Sequence, residues 1–194
     1  MATSVIVGVV ISVLLLIMLI TLIIYVITSY YSFVHMRNNI NGTFLSMDTH
    51  LKKRYNILPH IIEIVKKYAQ SERETLDNIM SIRNITMASK DTITQLKNEK
   101  ELSIAVQSLF DISQKYSQLQ SDKNFLKLIN ILNNLENEID SSRKIYNGVV
   151  KLYNTKCEKF PSKLIAKWFN FEINPLYELD ADQDNYINEQ VNFK

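Results

Sequence analysis

The chain has 194 residues, room for one domain of ordinary size and little more. Its 22 Lys and Arg nearly balance 20 Asp and Glu, all of them after residue 36, and the resulting net charge of +2 is too small to argue for nucleic acid as a partner. Three Gly and three Pro disfavour a turn-rich β protein, and a single cysteine, Cys157, leaves no disulfide framework and no zinc cluster.

After a short tail at 1–4, the run VIVGVVISVLLLIMLITLIIYVI from Val5 to Ile27 is interrupted only by Gly8, Ser12 and Thr21. At about 1.5 Å per residue it reaches roughly 34 Å, enough to cross a hydrocarbon core with some tilt. We read 5–29 as a transmembrane helix. A cleaved signal peptide would carry a basic leading region, a shorter apolar core and a small-residue cleavage site, and the run has none of these. Tyr25, Tyr30, Tyr31 and Phe33 sit around its far end, where amphipathic rings settle at headgroup level. The tail before the run lacks Lys and Arg, whereas Arg37, Lys52, Lys53 and Arg54 follow it, so the positive-inside tendency puts the N-terminus outside and the rest in the cytoplasm. The sequons at Asn41 and Asn84 are most simply chance in an Asn-rich chain.

From Phe44 the series Phe44, Met47, Leu51, Leu58, Ile61, Val65 and Tyr68, with Arg54 at one core position, makes one apolar stripe on a first helix. Pro59 removes a backbone donor there and is expected to kink the helix or split it in two. Ser71-Glu72-Arg73-Glu74 reads as a capping box opening a second helix with the stripe Leu76, Ile79, Met80, Arg83 and Met87. The polar stretch from Ser89 to Glu99 is expected to hold the connection to a third helix, marked by Leu102, Ala105, Val106, Leu109, Ile112, Ser113 and Tyr116. Ser121 or Asp122 then caps a fourth helix running to Phe160, with Phe125, Leu132, Ile139, Tyr146, Tyr153 and Phe160 seven residues apart and Leu128, Leu135 and Val149 on the alternate seam. Short links and four amphipathic segments predict an all-α protein: a transmembrane helix followed, over 30–179, by an antiparallel four-helix bundle with long first and last helices.

The blocks LKKRYNILPHIIEIVKKYAQSERETL and FLKLINILNNLENEIDSSRKIYNGVVKLYNTKCEKFPSKLIAKWFNF, with a single N-terminal span, resemble the LemA family from Tyr30 to about Leu179. The resemblance implies a helical bundle anchored by one N-terminal helix, with the domain on the cytoplasmic side. It implies no established enzymatic activity. A magnetosome-membrane component belongs to the family, and the tail from Asp180 lies outside the pattern read here.

Candidate chemistry is thin. His35, His50 and His60 lie too far apart for a His-Glu-x-x-His pairing, Cys157 falls beside a seam as a small buried hydrophobe, and three glycines cannot build a phosphate-cradling loop. No cofactor or metal is implied, and an enzyme is not expected. More informative are polar residues on or beside the seams: Arg54, Arg83, Arg143, Tyr146, Asn147, Tyr153 and Asn154. Buried polar groups must find partners. These either fix helix register, with Glu136 and Asp140 serving Arg143, or line a polar groove for a peptide or ligand.

A second set is a candidate membrane or partner surface: Lys52, Lys53, Lys66 and Lys67 on the first helix, and Trp168, Phe169 and Phe171 in the aromatic stretch after Pro161. The lysines either keep a solvated face soluble, the ordinary role of such a face, or approach anionic headgroups. The aromatics either pack back over the bundle end or meet lipid or a partner, with Lys163 and Lys167 at their sides. The acidic tail at 180–194 imitates a calcium loop at Asp180, Asp182 and Asp184, but Asn185 stands where Gly is wanted and Val191 where a bidentate Glu is wanted, so disorder is expected. Taken together, these features predict a non-enzymatic, membrane-anchored scaffold assembling with an unknown protein or with itself, or alternatively a membrane-bound regulator whose groove binds a ligand.

Overall fold

The computed structural model describes residues 2–177, of which 89% are helical, with no strand among them. Among the described residues six α-helices follow in order: α1 (Ala2–Tyr68), α2 (Arg73–Met87), α3 (Thr92–Lys115), α4 (Ser117–Ser121), α5 (Lys123–Glu158) and α6 (Ser162–Trp168). A 3-10 turn at Gln70–Glu72 precedes α2. The acidic tail at 180–194 lies outside the described residues. The all-α class read from the sequence is the observed one. The described chain divides into two compact units, residues 2–41 with 149–174, and 42–148 with 175–177.

In the first unit, the apolar section of α1 leaves every large apolar side chain from Ile6 to Ile24 between 47% and 68% exposed, with no side covered. Further along, Phe33 and Ile40 are buried, as are Val150, Tyr153 and Cys157 of α5 and Ile165 and Ala166 of α6. The seven-residue repeat of α5 holds to Tyr153 and fails at Phe160, which is 81% exposed. The cause is local. Pro161 biases the residue before it away from helical geometry, and α5 ends at Glu158. Ser162 then donates from its hydroxyl to the carbonyls of Lys156 and Lys159, at 2.7 and 2.9 Å, fixing the start of α6. Its end is closed by Asn170 at φ 53°, a left-handed position that Asn tolerates, and by the Phe171 amide reaching back 2.9 Å to the Ala166 carbonyl.

In the second unit the stripes read from the sequence form the core. Met47, Leu51, Leu58, Ile61 and Val65 of α1 are buried with Leu76 and Ile79 of α2, Leu102, Val106 and Leu109 of α3, and Phe125, Leu132 and Ile139 of α5. Thr86, not Met87, carries the end of the α2 stripe: Met87 is exposed, and the hydroxyl of buried Thr86 donates 2.7 Å to the Ile82 carbonyl. The stretch from Ser89 to Glu99 holds the connection to α3, as expected, but only as far as Asp91: this residue caps α3 by accepting the Thr94 amide at 2.8 Å, and the rest of the stretch is helix. Asp122 does the same for α5, accepting from Asn124 and Phe125 at 2.9 and 3.1 Å. The expected capping box of α2 does not form. Ser71 bonds the Tyr116 hydroxyl at 2.7 Å, and Glu72 accepts from Lys115 at 2.6 Å, so tertiary partners outcompete the local cap.

Pro59 neither splits nor ends α1, which runs unbroken to Tyr68. A proline at 59 leaves the carbonyl four residues earlier, that of Tyr55, without its helical donor. Arg83 Nε of α2 supplies one, donating to the Tyr55 carbonyl at 2.6 Å. The arginine on the α2 seam therefore closes the gap in the α1 ladder that the proline opens.

This predicts a specific coupling. Arg83→Met should cost about 1–3 kcal/mol, the usual penalty for stranding a part-buried acceptor. In a Pro59→Ala background the new amide serves Tyr55, and the same substitution should cost well under half as much. Urea unfolding of the full chain in detergent, followed by circular dichroism, checks this; equal costs in both backgrounds would contradict it.

Candidate functional site

The largest fully buried side chain among the described residues is Arg54 of the second unit, on α1 at a position suited to Leu. Its guanidinium is held from two helices. One nitrogen pairs with the carboxylate of Glu99 of α3, and the other donates at 3.2 Å to both oxygens of Glu136 of α5 and at 3.0 Å to the hydroxyl of Ser103. Tyr177, itself buried, belongs to the same cluster, and burial pushes its phenol well above the usual range. One cation thus faces two carboxylates with little water. Burial alone would lower the pKa of Arg54, but Glu136 and Glu99 outweigh that and hold it firmly charged. Glu99 carries the cost: desolvation, against the pull of Arg54, pushes its carboxyl from 4.5 up to about 7.

Tyr177 reaches this cluster because α5 grips the chain before it. The Tyr146 hydroxyl donates to the Pro175 carbonyl at 2.9 Å. Asn147 makes a two-point clamp, its amide donating to the Tyr177 carbonyl and its oxygen accepting the Tyr177 amide, both at 2.8 Å. In the first unit Asn154 clamps Asn174 the same way, both bonds at 2.9 Å. Tyr153 packs edge-on against Phe33 at 6.0 Å, and its phenol is pushed up to about 12, mainly by burial.

The seven candidate groove residues are each engaged with other groups of the chain itself. Arg54 serves Glu99 and Glu136, Arg83 serves Tyr55, Arg143 pairs with Asp140, and Tyr146, Asn147 and Asn154 hold the protein's own main chain. Glu136, expected to serve Arg143, pairs with Arg54. Glu99 was missed because its surroundings read as a polar connection. Its signal was its place three residues before Leu102, on the seam that also carries Leu96.

Of the candidate surface, Lys52 pairs with Asp48 at 2.7 Å, Lys66 with Asp77 at 2.6 Å, and Lys67 stands 3.8 Å from Glu63. Lys53 borders a shallow depression of about 550 Å³ with Asn56, His60, Ile131 and Glu138. Trp168 is 73% exposed and Phe169 is partly so. Phe171 departs from the surface reading: it is buried, stacked on Phe33 at 4.8 Å with the rings 16° from parallel, because the turn at Asn170 folds it inward. His35 contacts Asn39, and His50 Nδ1 lies 2.8 Å from Glu138. Among the described residues no three His, Cys, Asp or Glu side chains converge. The arrangement can order a fold and present surfaces.

The family model described as the LemA family matches residues 43–193. That match starts later than the resemblance read from the sequence and runs on through most of the segment after Asp180. No curated protein matches the chain.

Glu99 gives the second unit a signed pH dependence. Between about 4.5 and about 7 the folded chain keeps a proton on Glu99 that the unfolded chain has released, so this group's contribution to stability is complete below the lower value and falls as pH rises to the upper one. Glu99→Gln keeps the shape and cannot ionise. The stability difference between parent and variant, from urea unfolding across this range, should shift steadily in the variant's favour as pH rises; a difference independent of pH would contradict it.

Proposed function

The chain belongs to the LemA family, since the family model covers well over half of it, and on that premise we propose that it is a non-enzymatic scaffold, anchored in a membrane by one helix and assembling with other proteins at the cytoplasmic face. The observation that carries this reading is the uncovered apolar section of α1. A core helix of a soluble protein would be largely buried. A cleaved leader would carry a basic leading region and a shorter apolar core than this one. In this reading α1, α2, α3 and α5 make an antiparallel four-helix bundle. Cross-links between them support it: Arg54 joins α1 to α3 and α5, and Lys66 and Arg83 join α1 to α2. The buried polar residues are engaged in holding the fold, which favours a presenting surface over a reaction centre. Tethering in two dimensions raises the effective concentration of that surface toward its neighbours, so weak contacts suffice.

Orientation gains support from the fold. In sequence only Arg37 stands close to the span, but the unit that contains the span also holds Lys156, Lys159, Lys163 and Lys167. Cations gathered at one end of a span favour the cytoplasmic side.

A second reading, a regulator that binds a peptide, draws on Tyr146 and Asn147. Asn147 recognises main-chain amide and carbonyl groups, which any extended segment offers, and holds residue 177 of its own chain in this way. Under this reading Asn147→Ala would free that segment and expose the cradle, raising binding of extended peptides; under the scaffold reading it would only lower stability.

The primary reading predicts that the full chain stays with membranes in alkaline carbonate, that proteases reach residues 30–177 in inside-out vesicles and not in right-side-out ones, and that surface cross-linking in native membranes yields complexes that are lost when residues 2–29 are deleted. Extraction by carbonate, or digestion from the outer side, would contradict it.

A further inference from the structure

We propose that α6 lies in the headgroup layer beside the span, giving the protein a second, lipid-facing contact through Leu164 and Trp168 with Lys163 and Lys167 alongside; this rests on reading 5–27 as a membrane span. The helix has two sharply different sides. Ile165 and Ala166 are buried, whereas Leu164 and Trp168, four residues apart and so on one side, are 52% and 73% exposed. Lys163 and Lys167 repeat one position round from them and are also exposed. A short helix that leaves a leucine and a tryptophan uncovered, flanked by lysines, has the composition of an interfacial element, apolar toward the acyl boundary and cationic toward phosphates.

Depth follows from contacts within the same unit. Tyr30 packs against Phe169 at 4.9 Å and against Phe171 at 5.8 Å, and Arg37 stands 5.7 Å from the Phe171 ring. Tyr30 is three residues beyond Ile27, about 4.5 Å further along the helix axis. The headgroup layer on each side of a hydrocarbon core is roughly 5–7 Å thick. A span that fills the core therefore sets Tyr30 in this layer, and Phe169 and its neighbour Trp168 at the same level. Tryptophan prefers that level because its ring is amphipathic. The attitude of α6 is fixed at both ends, by the Ser162 hydroxyl bonds and by the Asn170 turn that seats Phe171 on Phe33.

The charge selects the lipid. Lys159, Lys163 and Lys167 with Arg37 outnumber Glu158 and Glu172 in this region, which matches an anionic phospholipid surface, where each basic residue contributes on the order of 1 kcal/mol.

Trp168 is the only tryptophan of the chain and so reports on this directly. In the experiment the full chain is reconstituted in liposomes of phosphatidylcholine and phosphatidylglycerol, floated after carbonate washing, and its tryptophan emission is measured. The result expected is a blue-shifted spectrum that loses most of its intensity to lipids brominated high on the acyl chain, less to lipids brominated near the methyl end, with several-fold weaker quenching by aqueous iodide than free tryptophanamide shows. Lys163→Gln with Lys167→Gln should move the spectrum back toward water. A water-like, iodide-accessible emission indifferent to bromine, from protein that still floats, overturns the proposal and leaves the span standing. Shielding from iodide without bromine quenching points to a protein on this face and overturns it equally. Loss of the chain from the floated fraction overturns the span reading itself.

Discussion

The apolar section of α1 cannot be left in water, and the rest of the account follows from that constraint. Burying a Val, Leu or Ile side chain is worth about 1.5–3 kcal/mol, so the row from Val5 to Ile27 represents tens of kcal/mol, more than the roughly 5–15 kcal/mol by which a whole domain is stable. Among the described residues no element covers this section, and the large apolar side chains from Ile6 to Ile24 are exposed all round. In the proposed reading, lipid is the solvent that resolves this with every backbone group paired inside the helix. The same helix then supplies Met47, Leu51, Leu58, Ile61 and Val65 to the core of the second unit. The apolar section and the core residues are successive sections of one helix, which supports the proposed membrane reading.

That core is unusual in what it buries among its leucines. Arg54 holds α1 to α3 and α5 through two carboxylates, and such a cluster is a poor source of net stability, since desolvation offsets most of the attraction. Its effect is on register: a one-turn slip of any of these helices would leave a buried charge without its partner. Arg83 has a related part, closing the ladder at Pro59, and Asn147 and Asn154 tie down the extended residues after α6. The polar seam residues thus fix one packing among the many that apolar stripes would allow.

Periodicity made most of this legible. The stripes of the first, third and last long helices are spaced at three and four residues, and burial follows them closely because amphipathic helices have one way to hide their apolar side. What the sequence concealed is tertiary. Asp91 as a cap, and hence Glu99 as a seam residue, vanished in a polar stretch with few apolar markers. Ser71 and Glu74 had the spacing of a capping box, but Ser71 found Tyr116 and its neighbour Glu72 found Lys115, partners more than forty residues away. Phe160 kept the heptad spacing but stood before a proline. The Tyr-Asn pairs were visible as misfits for a simple core, yet nothing in their spacing told that Tyr146, Asn147 and Asn154 grip the main chain of residues 174–177. Phe171 differed from Trp168 only through the turn at Asn170.

The central claim is that residues 5–27 cross a bilayer as a single helix surrounded by lipid. The most direct measurement is a nitroxide scan along this section in liposomes, in a Cys157→Ala background, comparing collision with dissolved oxygen and with a water-soluble nickel complex at each site. The account predicts oxygen access that rises smoothly to a maximum near Leu16 and falls toward both ends, with the nickel complex excluded throughout the middle. Nickel access at the middle sites, or a strong three-to-four-residue alternation marking one face buried in protein, would contradict it.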